Sequence, residues 1–499
     1  MIVDEDGLRI VSKGAAYVFA GSIANKLLAY IYLLILARFL GPIWLGTYVL
    51  LITIVESTSV ICRIGLPTSL SRFIAIYQSN KEYSRIKGLL RFAFLLPVAV
   101  SIFIASIIFI FSDYICIHIF RNGALLLYLR TIILFLPLTT AVNIFKPVFQ
   151  GLKDMKNMVL IDLTESTSLI PVFLILVFLF PDKIWACLWA YVSSQIISII
   201  FSHFRLRKKA AFTQNRDIKP DLNVRELLSY SLPLLFVAVS NQIFLNVDRL
   251  MIGYFCTVKD VGLYTPAASV AIFVSAPLTM FNPIFSPIIA RYYHEQRIGE
   301  LSYLFKTITR WAFTVSLPLF IFILLMSKEI MQIFGKQYLQ SSGVLVILSL
   351  AQLINAATGS VSIILAMSSN QKILLVVTVF VNILNIILNM FLIPCLGIMG
   401  AAVATGISII MLNVLNCYFV FRVVSVHPFD MKFLRPLLKG IVTFGALFLM
   451  TCVTQQFDYK VRLTASLCLF FLVFVGLTFI FKLEKDELFI FKLLEEKIK

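Results

Sequence analysis

Apolar stretches of about twenty residues recur along the whole chain, separated by short polar turns. That is the length a helix needs to cross a bilayer's hydrocarbon core of about 30 Å. The pattern predicts fourteen membrane spans, at 14–39, 43–64, 87–111, 125–149, 157–181, 184–202, 227–253, 263–289, 306–326, 342–367, 371–393, 398–421, 434–454 and 463–482. The first apolar run is too long for a signal peptide and lacks a small-residue cleavage site, so no cleavable leader is expected.

The polar turns repeat. Val247–Tyr264 (VDRLMIGYFCTVKDVGLY) ends one apolar span and opens the next, and the same arrangement stands 216 positions earlier. Gly46 and Tyr48 match Gly262 and Tyr264. Pro67 matches Pro283, Tyr77 matches Tyr293, and Asp154-x-Lys156 falls on Asn370-x-Lys372. An offset held over about a hundred residues marks two copies of one unit of six helices. Two such bundles related by an axis along the membrane normal are a transporter arrangement, with substrate bound between them.

Composition agrees. The 499 residues are 60% hydrophobic and 14% charged, against about 25% charged in a soluble domain. The fold class is therefore an all-α polytopic membrane protein, with about fourteen transmembrane helices in two pseudo-symmetric six-helix bundles plus two extra helices. The net charge of +18 would suggest nucleic acid in a soluble protein. Here it reports topology. Counted with the eight that stand at the cytoplasmic ends of spans, thirty of the 43 Lys and Arg residues fall on the side of both termini, seven on the other and six deeper within spans. The positive-inside rule then puts both termini in the cytoplasm. The eight Cys are scattered singly, with no CxxC pair, and indicate neither a disulfide framework nor a metal site.

These boundaries divide the chain into an N-terminal bundle (1–202), a cytoplasmic basic linker (203–226), a C-terminal bundle (227–425), and spans thirteen and fourteen with a cytoplasmic tail (426–499). The linker carries Arg205, Arg207, Lys208 and Lys209, which serve as an orientation signal or hold anionic headgroups at about 1 kcal/mol per charge. The tail from Lys482 to Lys499 alternates apolar and charged residues, as an amphipathic surface helix does.

Charges inside spans stand out, because one at helix centre costs about 2.5–3.5 kcal/mol and usually faces a cavity or a partner. Lys26 lies near the middle of the first span. The second carries Thr53, Glu56, Ser59 and Arg63 on one face. The fifth carries Asp162 and Glu165. Glu56, Arg63, Asp162 and Glu165 share the cytoplasmic half and can form a mixed-sign cluster. Arg38 and Asp248 lie near the outer ends of the first and seventh spans, which occupy equivalent places in the repeats. They suggest an outer gate in which Arg38 meets Asp248 while the cavity faces the cytoplasm, or two side chains that snorkel separately. Arg249 adjoins Asp248 within its span.

The second bundle is polar but mostly uncharged. Gln352, Asn355, Gly359 and Ser362 form a stripe on the tenth span, and Asn382, Asn385 and Asn389 another on the eleventh. Such amides join helices or contact sugar hydroxyls. The first bundle supplies most of the buried cations, Lys26, Arg38, Arg63 and Arg130. Cations on one wall suit phosphate or pyrophosphate, unless internal ion pairs use them up.

Three short segments carry a family resemblance. Ala37-Arg-Phe-Leu-Gly-Pro with Gly46-Thr-Tyr48, Arg63-Ile-Gly-Leu-Pro-Thr-Ser-Leu-Ser-Arg72, and Val247-Asp-Arg-Leu-Met-Ile-Gly-Tyr-Phe through Val261-Gly-Leu-Tyr264 resemble the polysaccharide-export, O-antigen flippase-like branch of the multidrug/oligosaccharidyl-lipid/polysaccharide exporter superfamily. The resemblance covers most of the chain. It implies translocation of a lipid-linked oligosaccharide from the cytoplasmic to the outer leaflet of the cell membrane by alternating access. The carrier would be an undecaprenyl or dolichyl (pyro)phosphate. Related lipid-II flippases place cavity cations in the region of Lys26 and Arg63. Substrate contacts are accordingly expected from Lys26, Arg38, Arg63, Asn355 and Asn385. Ion coupling or gating is expected from Glu56, Asp162, Glu165, Asp248 and Arg249. A monomer with no cofactor is expected, with a polymerase or ligase of the same pathway as a possible partner besides membrane lipid.

Two other readings compete. A cation-coupled drug antiporter of the same superfamily would need only twelve helices and one acidic site, and Glu56, Asp162 or Glu165 could supply it. A membrane glycosyltransferase or polymerase would need a sizeable outer domain with paired acids, and every predicted outer loop is short. No Gly-rich phosphate loop or metal-ligand motif is present to support an ATP-driven pump. Pro97, Pro233 and Pro318 lie inside spans and are candidate bends.

Overall fold

The first two predicted spans form one helical stretch, α1 (Glu5–Cys62), broken at Gly41. Gly41 has φ 68° and ψ 177°, a region open to glycine and hardly to other residues. Pro42 follows and restarts the helix, where its missing N–H is no loss. The computed structural model describes residues 5–209 and 219–480. The tail predicted to be amphipathic lies outside the described residues.

The helices that follow are α2 (Leu66–Ser79), α3 (Tyr83–Ile110), α4 (Leu125–Ile133), α5 (Leu136–Gly151), α6 (Met155–Leu179), α7 (Lys183–Lys209), α8 (Val224–Phe255), α9 (Val258–Ala271) and α10 (Ala276–His294). Then come α11 (Ile298–Phe334), α12 (Ser342–Thr358), α13 (Val361–Met367), α14 (Gln371–Leu396), α15 (Ile398–Val424), α16 (Leu434–Val453) and α17 (Tyr459–Ile480). Each of the fourteen predicted spans falls on helix as far as the described residues reach. Among those residues, eleven helices are long and apolar enough to cross a membrane, or twelve if α4 and α5, bent by 48°, make one span. One of the eleven, Ala20–Cys62, contains two predicted spans, one on each side of Gly41.

Pro97, Pro233 and Pro318 all lie inside helices, in α3, α8 and α11, and α11 is interrupted at Met326, eight residues beyond Pro318. Gly359, at φ 72°, separates α12 from α13 because the Thr309 side chain occupies the place its Cβ would take.

Contacts divide the chain into two compact units, Met1–Gly262 and Leu263–Lys499. By these contacts α8 packs with the first unit. The reason is a series of close approaches. Gly65 meets the backbone of Ser231 and Leu235, Gly46 meets Val258, and Ser69 and Ser231 hydrogen-bond at 2.6 Å. Glycine and serine let helix backbones approach in this way. The linker differs from expectation too. Its basic start is helical as far as Lys209, which pairs with Asp154 at 3.6 Å. Its end is clasped to α3, where Ser84 bonds the Lys219 carbonyl, Asp221 N–H donates to the Ser84 carbonyl at 3.2 Å, and Gly88 abuts Asp221.

The repeat is visible in the turns. Asp154 N–H donates to the Phe149 carbonyl at 2.9 Å, and Asn370 N–H to the Leu365 carbonyl at 3.1 Å. Lys153 (φ 57°) and Ser369 (φ 61°) hold the left-handed position in each. The offset is again 216. At the other matched turn it is 215. Glu82 N–H donates to the Tyr77 carbonyl and Arg297 N–H to the Tyr292 carbonyl, both at 2.9 Å. The structural counterpart of Tyr77 is thus Tyr292, not Tyr293.

In the second unit α16 and α17 pack on α11. Gly440 admits Leu317, and Phe433 stacks on Phe313 at 4.8 Å. Arg310 pairs with Asp430 at 3.2 Å and Glu329 with Arg462 at 3.0 Å. Arg310 and Glu329 are nineteen residues apart on α11, or about 28 Å along the axis. The extra hairpin is thus pinned to that helix at two widely separated levels.

Candidate functional site

The polar spacing predicted for the first bundle puts charges on facing helices. On α6, Asp162 and Glu165 are three residues apart and share a face. On α5, Thr139, Asn143 and Lys146 make a second stripe. On α7, Tyr191 and Gln195 make a third, and Glu56 projects from α1. These stripes meet. Lys146 Nζ lies 2.5 Å from Asp162 Oδ1 and 3.6 Å from Glu165 Oε2. Glu165 also accepts from Gln195 at 3.0 Å, and Glu56 accepts from the Tyr191 hydroxyl at 2.8 Å. Tyr191 in turn meets Thr139 at 3.3 Å, and Asn25 of α1 bonds Ser166 of α6.

Three of the four acidic and basic residues expected in this cluster, Glu56, Asp162 and Glu165, are therefore linked to facing helices. Arg63 sits at its edge, half-buried, with Nε donating to the Ser59 carbonyl at 3.1 Å. Lys26, one residue after Asn25, is exposed. The counter-ion that sequence reasoning missed is Lys146. It lies three residues from the predicted end of the fourth span, and its place on the stripe with Thr139 and Asn143 is a usable signal. Arg130 does not join the cluster. It binds Asp113 at 2.6 Å and Ser112 at 2.8 Å and is more than one-third exposed.

Among the two outer residues considered for a gate, Asp248 is buried and Arg38 is exposed. Arg249 donates to Asn246 at 2.9 Å on its own helix.

In the second unit the two amide stripes differ. Asn385 is 2% exposed and donates to Ser408 at 3.1 Å and Thr405 at 3.4 Å on α15, while Asn389 donates to Asn385 at 3.1 Å. This stripe joins α14 to α15. Asn355 is half-buried and bonds only within its helix, to Gln352 at 3.3 Å, among the bonds described. Nearby, Thr358 bonds Asn413 at 3.0 Å, Asn416 bonds Ser362 at 3.1 Å, and Ser360 bonds Asn282 at 2.6 Å. Among the described residues no group of three His, Cys, Asp or Glu side chains is arranged to hold a metal ion.

The fold is shared with known transporters. A lipid II flippase, MurJ, solved in an inward closed conformation, superposes with a TM-score of 0.70 at 16% identity over 93% of this chain and 98% of that one. An inward-facing multidrug resistance transporter of the MATE family follows at 0.64, 14% identity, 84% and 94%. In sequence, a family model described as MatE matches residues 233–391, and one described as "Polysaccharide biosynthesis protein" matches residues 11–292. The chain belongs to the polysaccharide biosynthesis protein family, in the flippase branch of the multidrug/oligosaccharidyl-lipid/polysaccharide exporter superfamily. It is a membrane transporter rather than an enzyme. The "Probable low-salt glycan biosynthesis flippase Agl15" of Haloferax volcanii is 29% identical over 206 residues, which is 41% of this chain and 43% of that relative. An uncharacterised membrane protein of Methanocaldococcus jannaschii is 24% identical over 429 residues, 82% of this chain and 98% of that protein.

Proposed function

We propose that the protein moves a lipid-linked oligosaccharide, carried on a polyprenyl or dolichyl (pyro)phosphate, from the cytoplasmic to the outer leaflet of the cell membrane. The observation that carries this reading is the Lys146 ammonium lodged between Asp162 and Glu165. An antiporter driven by protons or sodium needs a carboxylate available to its coupling cation. Here a tethered cation already occupies that place in the first unit, and Glu56 is engaged by Tyr191. The same unit also carries cations, Lys26 on α1 and Arg63 in the turn that follows α1. Cations with N–H donors recognise phosphate through charge-assisted hydrogen bonds. The similarity to the Haloferax glycan flippase over 206 residues points the same way.

In this account both termini are cytoplasmic and the chain acts as a monomer. The headgroup enters from the cytoplasm and is taken up by Lys26 and Arg63. The polyprenyl tail stays in the bilayer beside α16 and α17. Alternating access then exposes the glycan outside, where a polymerase or ligase consumes it. Arg38 and Asp248 close the outer end while the cavity faces inward, and Asn355 contributes an amide to the sugar.

Deletion of the gene, followed by mass spectrometry of extracted polyprenyl-linked glycans, tests the reading. The expected result is build-up of a complete oligosaccharide on its lipid with loss of surface glycan. No build-up, together with new sensitivity to cationic drugs, would favour the antiporter that the match to MatE also allows.

A further inference from the structure

The flippase reading leaves open what Lys146 does when substrate arrives. Lys146 is five residues from the end of α5, and Glu165 ten residues into α6. At 1.5 Å per residue these are depths of about 7 and 15 Å along their helices. Yet the side chains of Lys146, Asp162 and Glu165 keep 26%, 33% and 21% of their surface uncovered by protein. Charges left bare at such depth do not face hydrocarbon, where each costs at least about 2.5–3.5 kcal/mol. By that cost their uncovered surface is assigned to water rather than to lipid. Arg63 lies seven residues after Glu56, the carboxylate that Tyr191 ties into this cluster.

The partners of Lys146 are built to release it. Glu165 keeps its bond from Gln195 when the ammonium leaves. Asp162, the more exposed of the two acids, is reached by water. Lysine is a point charge on a flexible four-carbon stem and can swing several ångströms. Arg63, by contrast, is anchored through Nε to the Ser59 carbonyl.

We propose that Lys146 is a phosphate-binding residue for the lipid carrier, and that Asp162 and Glu165 are its resting place in the empty transporter. This rests on the flippase reading. It differs from a purely structural role, in which Lys146 only neutralises the two acids.

The test uses the full-length protein purified in detergent, with inorganic pyrophosphate as the probe and titration calorimetry as the readout. Lys146→Met is expected to weaken binding at least tenfold, and Lys146→Arg to retain most of it. The deciding variant, Lys146→Met/Asp162→Asn/Glu165→Gln, removes all three charges together and so leaves no buried charge unpaired. It is expected to fold as wild type does and still bind at least tenfold more weakly. The Asp162→Asn/Glu165→Gln protein, whose ammonium is released, is expected to bind more tightly than wild type. Wild-type affinity in the triple variant overturns the proposal, as does wild type that does not bind pyrophosphate. If deletion cells nonetheless accumulate the lipid-linked glycan, the flippase reading survives that failure. If they do not accumulate it, both fall.

Discussion

Gly46 and Gly262, equivalent positions of the two repeats, face each other reciprocally. A Cβ on Gly46 would collide with the Val258 carbonyl, and a Cβ on Gly262 with the Pro42 carbonyl. Val258 and Pro42 are themselves 216 residues apart. The contact is therefore a local twofold arrangement, each glycine accepting the other helix's backbone. Gly46→Ala or Gly262→Ala must push the two backbones apart. Overpacking of this kind costs about 1–3 kcal/mol. Either variant is expected to lower the thermal midpoint in detergent by several degrees. Unchanged midpoints for both would show that the helices separate without loss.

The Tyr191 hydroxyl donates to Glu56 across helices at 2.8 Å. A hydrogen bond to a charged group contributes about 1.5–3 kcal/mol. Tyr191→Phe keeps the ring and leaves that carboxylate without this donor. We expect reduced stability in Tyr191→Phe and substantial recovery in Tyr191→Phe/Glu56→Gln, read by thermal unfolding of the purified protein. Equal stability of the single variant and wild type would remove the bond from the account.

Glu329 is buried on α11, and Arg462 of α17 reaches it at 3.0 Å. Removing one partner of a buried pair costs about 3–5 kcal/mol, whereas apolar or neutral replacement of both is far milder. Arg462→Met should strongly destabilise the protein, and Arg462→Met/Glu329→Gln should restore most of the loss. Lipid-linked glycan accumulation in cells carrying the double variant would then show whether the hairpin must be held by charge or merely held.

The turn from α10 to α11 carries an exposed network in which Arg291 and Arg297 donate to Glu295 at 2.7 and 3.2 Å. These bonds hold the Glu295 carboxyl below the usual carboxylate range. A depressed folded-state value means that the contribution is present above the unfolded carboxyl range and is lost as pH falls through the folded value. Hydrogen-exchange protection in residues 295–301, taken relative to the intrinsic rate at each pH, should be insensitive to this group near neutrality and fall in acid. A loss of protection centred between pH 6 and 8 would have another origin.

Much of this was legible in the chain. The spans follow from length and hydropathy, and the repeat from Gly46, Gly262 and the Asp154 and Asn370 turns. The placement of Asp162 and Glu165 on one face follows from helical spacing alone. What spacing does not give is which stripe faces which. Asn355 and Asn385 look alike as sequence, yet Asn385 is committed to Ser408 while Asn355 stays half-buried. Lys146 was hidden because a lysine near a span's end is ordinarily a topology marker. The packing of α8 against the first unit was hidden because it depends on glycine and serine contacts far apart in sequence, such as Ser69 with Ser231.

The central claim is that this chain itself carries a phosphate-linked glycan across the bilayer. The most direct measurement uses the purified protein in proteoliposomes containing a fluorescent polyprenyl-pyrophosphoryl oligosaccharide, with quenching of the outer-leaflet label as readout. The account predicts protein-dependent equilibration of the lipid between leaflets, reduced at least tenfold by Lys146→Met. Leaflet populations that stay fixed, in vesicles that take up a cationic dye against a proton or sodium gradient, would contradict it.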